Sequence, residues 1–187
     1  MGIITDIEDA IISLAAARLG STVRKIETLP GGWTMETLKR ALQFAPGVYV
    51  AFLGAKPGSV DGYFDGRFSV YMVSKGASET SRRRGNQRVI GAYDMIERLL
   101  PYLHVLDVEE IGSAMVSVVH NLFPDAMFEL GGTVYAINLT MPHMPLDYEP
   151  DISGLADFVL WHGEAYDEGG IDAGDDPLII GEQKLNQ

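Results

Sequence analysis

The sequence predicts an α+β fold, an antiparallel sheet packed by about three helices and followed by an extended acidic C-terminal arm. Three observations carry that prediction. Val89, Ala92, Tyr93, Ile96, Leu99, Leu100 and Leu103 recur at steps of three and four, the spacing that lays one apolar stripe along a helix and calls for a sheet to cover. Val48 to Ala55 and Phe64 to Lys75 are rich in Val, Tyr and Phe, the residues that suit a pleated, half-buried surface. Finally, the stretch from Leu146 to Gln187 holds eleven acidic residues against Lys184 alone, a net charge of -10 that leaves only -2 of the chain's -12 for everything before it. The body is nearly neutral and the tail is acidic. Two domains follow, residues 1–145 as the folded body and 146–187 as the arm.

Thr5-Asp6-Ile7-Glu8 has the form of a capping box, so a first helix is expected from there, burying Ile7, Ala10, Ile11, Leu14 and Ala15 and stopping at Gly20. Val23 to Leu29 alternates imperfectly and reads as a short edge strand. After the Pro30-Gly31-Gly32 turn, Thr34 caps a short helix carrying Met35, Leu38, Ala41 and Leu42, with Trp33 and Leu38 placed as a hydrophobic staple. The two strands that follow are joined by Lys56 to Gly62, a connection of hairpin length. The central helix is expected to start at an Asn86 cap, worth ~1 kcal/mol, and to end at Pro101, which disfavours helical geometry at Leu100. Ile111 to Leu122 reads as a strand. Pro124-Asp125 turns the chain, and Ala126 to Thr140 follows as another strand, with Gly131-Gly132 marking a bulge or tight turn. Met141-Pro142-His143-Met144-Pro145 reads as a linker, because two prolines remove ladder donors. In the arm, Ile152 to Trp161 holds one short amphipathic piece and Leu178-Ile179-Ile180 forms an apolar island. That is too little apolar mass to fold alone, and the aromatic and aliphatic anchors favour a segment laid onto another surface.

The 187 residues, 47% of them hydrophobic, suffice for one sizeable core. No apolar run approaches the roughly 20 residues of a membrane span, and the N-terminus lacks the order of a signal peptide. A soluble, unprocessed protein without membrane contact is expected. The absence of cysteine excludes disulfides and thiolate chemistry and fits a reducing cytoplasm. The charge balance argues against nucleic-acid recognition, which draws on clustered Lys and Arg.

No catalytic, cofactor-binding or metal-binding set emerges. His104, His120, His143 and His162 have no zinc-ligand spacing. The acids from Asp167 to Asp176 lack the alternation and closing glutamate of an EF-hand. Gly31-Gly32 and Gly131-Gly132 lack the Lys-Ser/Thr of a phosphate loop, and Ser59 is misplaced for a nucleophile elbow. The one charge feature that opposes the chain's balance is Arg82, Arg83, Arg84 and Arg88, which the pattern puts at or before a helix N-terminus, where cations are disfavoured. These arginines are expected either as a solvated loop or as a contact for an anionic partner, such as the acidic arm of a neighbouring copy. Phe158, Trp161, Leu178, Ile179 and Ile180 are the matching contact candidates in the arm.

Three places in the chain resemble a known family. They are the Ile7-Glu8-Asp9-Ala10-Ile11 helix with the later Val48-Tyr49-Val50-Ala51-Phe52 strand; Arg83-Arg84-Gly85 leading to Gly91-Ala92-Tyr93 and Leu99-Leu100; and Leu155-Ala156-Asp157-Phe158 followed by His162-Gly163 and an Asp-rich finish. Together they resemble the tail terminator (tail completion) proteins of Mu-like contractile bacteriophages. His104 to Ile111 departs from that pattern. The resemblance implies a non-enzymatic virion protein at the head-proximal end of the tail, made in the host cytoplasm. Such a protein caps the tail tube, ends its polymerisation and prepares the head/neck joint. It further implies a homohexameric ring in contact with tail tube, tail sheath and neck or head-completion proteins. The rival readings are a non-virion tail assembly chaperone and an enzyme with an unrecognised site.

Overall fold

The structure is a computed structural model that describes residues 2–29, 32–122 and 130–145, together with the backbone of residues 160–165 and 179–184. It divides into two compact units, Met1–Pro150 and Asp151–Gln187. In the first unit the order is α1 (Ile3–Leu19), β1 (Lys25–Thr28), α2 (Met35–Gln43), β2 (Gly47–Pro57), β3 (Tyr63–Lys75), α3 (Glu79–Arg84), α4 (Ala92–Leu103), β4 (Asp107–Val108), β5 (Gly112–Ser113), β6 (Met115–Leu122) and β7 (Gly132–Pro145). In the second, β8 (Leu160–Ala165) and β9 (Ile179–Lys184) pair antiparallel, with Trp161 opposite Gln183 and Ile180 opposite Glu164.

Five strands make one sheet in the order β1-β2-β3-β7-β6. All its pairings are antiparallel except β1 with β2. That pair is parallel because α2 serves as the crossover between them, and a parallel neighbour needs such a connection. The expected α+β fold is thus present with a mixed sheet, and α1, α2 and α4 are the three helices expected to cover it.

Strand alternation sorts the core into two layers. Val48 and Val50 of β2, Phe68, Val70 and Met72 of β3, and Ile137, Leu139 and Met141 of β7 face α1 and α4, which contribute Ile7, Ile11, Ala15 and Leu19, and Ala92, Met95, Leu99 and Leu103. The intervening residues Tyr49, Ala51, Tyr71, Val73, Val134 and Ala136 face Leu38, Ala41 and Leu42 of α2. Trp33 closes this second layer, edge-on to Tyr71 at 5.2 Å and to Tyr49 at 6.3 Å between ring centroids. The α2 start is capped as expected, Thr34 and Thr37 each accepting from the other's backbone N–H. Burial pushes the Tyr49 phenol up to about 12, with Glu27 adding to the rise.

Five local expectations are corrected. The Thr5–Glu8 box does not form: α1 begins after Gly2 with no side-chain cap, and Glu8 instead accepts the Phe52 N–H at 3.0 Å. The central helix starts at Ala92 rather than at Asn86, whose Oδ1 accepts from Arg88 N and Val89 N and so closes a turn ahead of the helix. Pro101 lies inside α4, which runs on to Leu103. The stretch from Ile111 to Leu122 is not one strand, because β5 pairs back on β4 before β6 begins.

The fifth correction concerns Met141–Pro145, which is no linker but the end of β7, paired with β3 from Met141 opposite Gly66 to Pro145 opposite Tyr63. The prolines are tolerated for two reasons. Pairing with β6 stops at Thr140, so this end of β7 is an edge on that side. The register also shifts between Phe64 and Gly66, where Pro142 and His143 are passed over and His143 takes φ 58°, a bulge that needs no ladder donor from them. Ala126 to Glu129 and the Pro124-Asp125 turn lie outside the described residues, and β7 starts at Gly132 after Gly131 at φ 64°.

Burial raises the Glu8 carboxyl above its ordinary range, against the lowering effect of the Phe52 N–H. A raised folded value means the native state holds its proton more tightly than the unfolded chain, so Glu8 costs stability as pH rises through that value. Glu8→Gln keeps an acceptor for Phe52 and carries no charge. The thermal midpoint of the variant relative to the parent is therefore expected to rise between about pH 4 and about pH 7, and a relative fall over that interval contradicts the account.

Candidate functional site

The arginine run is built by a cap that the sequence reading missed. Ser78 Oγ accepts the Ser81 N–H at 3.1 Å and Ser81 Oγ accepts the Ser78 N–H at 3.2 Å, the reciprocal arrangement that fixes a helix start. The cap starts α3 at Glu79 and puts Arg82, Arg83 and Arg84 in its last turn. The arginines therefore stand at a helix C-terminus, where the partial negative charge of free carbonyls favours them. The expectation of a locally costly N-terminal position is reversed.

The four arginines have different environments. Arg82 is buried, 6% exposed; its Nη1 donates to Gly76 O at 3.2 Å, and its own carbonyl accepts from Ser74 Oγ at 2.6 Å. Arg83 pairs with Glu79 at 3.3 Å and donates from Nη1 to Tyr93 OH at 3.3 Å. Tyr135 OH lies 3.4 Å from Tyr93 OH, and the two rings meet edge to face at 5.6 Å. Arg83 thus ties α3 to the first turn of α4 and, through Tyr93, to β7. Arg84 and Arg88 are exposed.

Charge in this cluster follows from the contacts. The hydrogen bonds from Tyr135 and then from Arg83 lower the Tyr93 phenol below its ordinary value. Burial first, and then the bond to Tyr93, push Tyr135 up to about 12. The bond to Tyr93 and the Glu79 carboxylate raise the Arg83 guanidinium further. Arg83 stays charged and committed to internal partners.

The loop that displays Arg84 and Arg88 is closed at its base by two glycines. A Cβ on Gly91 would run into Gly85 N and Arg83 O, and one on Gly85, at φ 71°, would meet Gly91 N and Val89 O. Inside the loop Asn86 N donates to Val89 O at 2.9 Å, while Asn86 Oδ1 accepts from the two following amides. The outcome is a fixed turn with two exposed guanidiniums, suited to carboxylates, which a planar guanidinium grips with paired N–H donors.

Of the arm candidates, Trp161 is in β8 and Ile179 and Ile180 are in β9, whereas Phe158 and Leu178 lie outside the described residues, as does the acidic stretch from Asp167 to Asp176. Among the described residues no group of three or more His, Asp or Glu side chains could hold a metal ion, and no helix is long and apolar enough to cross a membrane. His104 accepts the Val116 N–H through Nδ1 at 3.2 Å, a structural role.

Comparison with known proteins gives a consistent result. The family described as Bacteriophage Mu, Gp37 matches residues 3–144, a span that ends one residue before β7 does. The chain is 27% identical over 161 residues to the Mu-like prophage FluMu protein gp37 of Haemophilus influenzae, covering 86% of this chain and 80% of that protein. It is 24% identical over 151 residues to the probable tail terminator protein of Escherichia phage Mu, covering 81% of this chain and 80% of that protein. These relatives form a structural phage family rather than an enzyme family, in line with the expectation of a non-enzymatic protein. With most of its length matched, from the start of α1 into the last residues of β7, the chain belongs to the Bacteriophage Mu Gp37 family.

Proposed function

We propose that this protein is a structural tail terminator of the virion. In this reading it caps the head-proximal end of the tail tube, ends tube polymerisation and forms the surface to which head or neck proteins join. Its likeness to the probable tail terminator of phage Mu over most of both chains is the observation that carries the reading. The same reading makes it a homohexameric ring in contact with tube, sheath and neck proteins, without nucleic-acid recognition, cofactor or membrane.

Charge and chain layout support a ring of this kind. The body is nearly neutral, and the final 42 residues hold most of the net charge. Arg84 and Arg88 are the exposed members of the arginine run and can take carboxylates from the arm of the next copy. Apolar side chains of that arm, Phe158, Trp161, Leu178, Ile179 and Ile180, would be buried at the same junction. Repeating one such heterologous contact closes a ring.

Reversing both charges in Arg84→Glu/Arg88→Glu is expected to shift the protein from hexamer to smaller species in light scattering, and the parent's own assembly is expected to loosen as salt screens the pairs. An unchanged assembly size removes the arginine contact from the account. Mass spectrometry of purified particles addresses the role itself: a stoichiometric amount is expected, and its absence supports a transient assembly chaperone.

A further inference from the structure

The two edges of the five-stranded sheet differ in kind. β1 is four residues long and carries Lys25 and Glu27, 2.8 Å apart, the short, charged form that blunts an edge. β6 is eight residues long, with no charged residue and no proline anywhere from Ile111 to Leu122. Met115 is 50% and Val118 47% exposed, and Ser117 and Asn121 are exposed beside them. The start of the edge is occupied, because Val116 N–H donates to His104 Nδ1, while Ser117 Oγ turns back to Asn138 O of β7. From Val118 to Leu122, β7 is the only strand paired with β6 among the described residues. A long, uncharged, apolar edge is a template for another strand.

The second unit supplies a strand in need of a neighbour. β8 and β9 are six residues each and, among the described residues, pair only with one another. A lone two-stranded ribbon is marginal in water, and a third strand is what makes such a unit stable. The lengths agree, since six residues span the open part of β6. The 14 residues from 146 to 159 that precede β8 can extend at most roughly 50 Å, enough to cross to an adjacent subunit.

We propose that the β8–β9 ribbon of a second copy adds to the β6 edge, continuing the sheet from one subunit into the next. This deepens the ring reading above and rests on it. The main-chain hydrogen bonds of added strands supply affinity, and the exposed Val118 and Met115 supply an apolar seat.

A photo-reactive phenylalanine analogue at Val118, in an equal mixture of isotopically light and heavy chains, tests the contact. Irradiation is expected to give covalent dimers whose linked peptides come from residues 160–184 and pair light with heavy chains. Links confined to a single chain, or mapping outside 160–184, overturn the proposal. Light scattering on the same sample keeps the two readings apart: a hexamer without these links removes the edge contact alone, whereas a monomer removes the ring as well. Val118→Lys, a change at an exposed position, is expected to reduce the assembly size in light scattering without lowering the thermal midpoint, and an unchanged assembly size contradicts the edge assignment.

Discussion

The pairing of β3 with β7 is the constraint on which the rest of the structure depends. It runs from Lys75 opposite Gly132 to Tyr63 opposite Pro145 with one register shift, and its alternation decides what each helix can cover. Phe68, Val70 and Met72 go to α1 and α4, while Tyr71 and Val73 go to α2. A slip of one residue would exchange these sets, sending Tyr71 and Ser69 under α1. Ser69 pins the register from the other side: it is fully buried, and its hydroxyl pairs with Asn138 Oδ1 at 2.8 Å. An unpaired hydroxyl there would cost roughly 1–3 kcal/mol. The bulge at Pro142 and His143 preserves the pairing beyond that point, so a proline-rich segment ends the sheet instead of leaving it.

The arginine turn is built on this frame. Arg82 and Arg83 are spent on the fold, one against the Gly76 carbonyl and the other between Glu79 and Tyr93. Their work is to hold α3 against α4 so that the Gly85–Gly91 neck can close. Only then do Arg84 and Arg88 stand out from the surface in a fixed arrangement. A cation cluster in the sequence thus separates into an internal half that makes the display rigid and an exposed half, the one proposed above as a contact.

Much of the fold was legible because period and composition agree. The β2 and β3 strands, the Thr34 cap, the Gly20 stop and the apolar stripe of α4 are local signals that tertiary packing reinforces. What could not be read locally was set by long-range partners. Glu8 has the spacing of a capping box, but Phe52, 44 residues on, offers its amide and wins. Met141–Pro145 reads as a linker until β3 is seen beside it with an edge and a bulge to accommodate two prolines. The arginine site was partly legible: the run was found, yet its polarity was reversed because the Ser78–Ser81 cap was overlooked, although Ser-Glu-Thr-Ser was there to signal a helix start. The Tyr93–Tyr135 pair had no sequence signal, since 42 residues separate its members. The uncharged stretch from Ile111 to Leu122 reads as one strand, whereas only Met115–Leu122 joins the main sheet, and its place at the sheet edge needed the strand order.

The central claim is that the chain assembles into a closed ring that finishes a tail. Electron microscopy of the purified full-length protein tests this most directly. The account predicts closed rings with sixfold symmetry and a central opening of tail-tube diameter. A homogeneous monomer, or open filaments in place of rings, would contradict it.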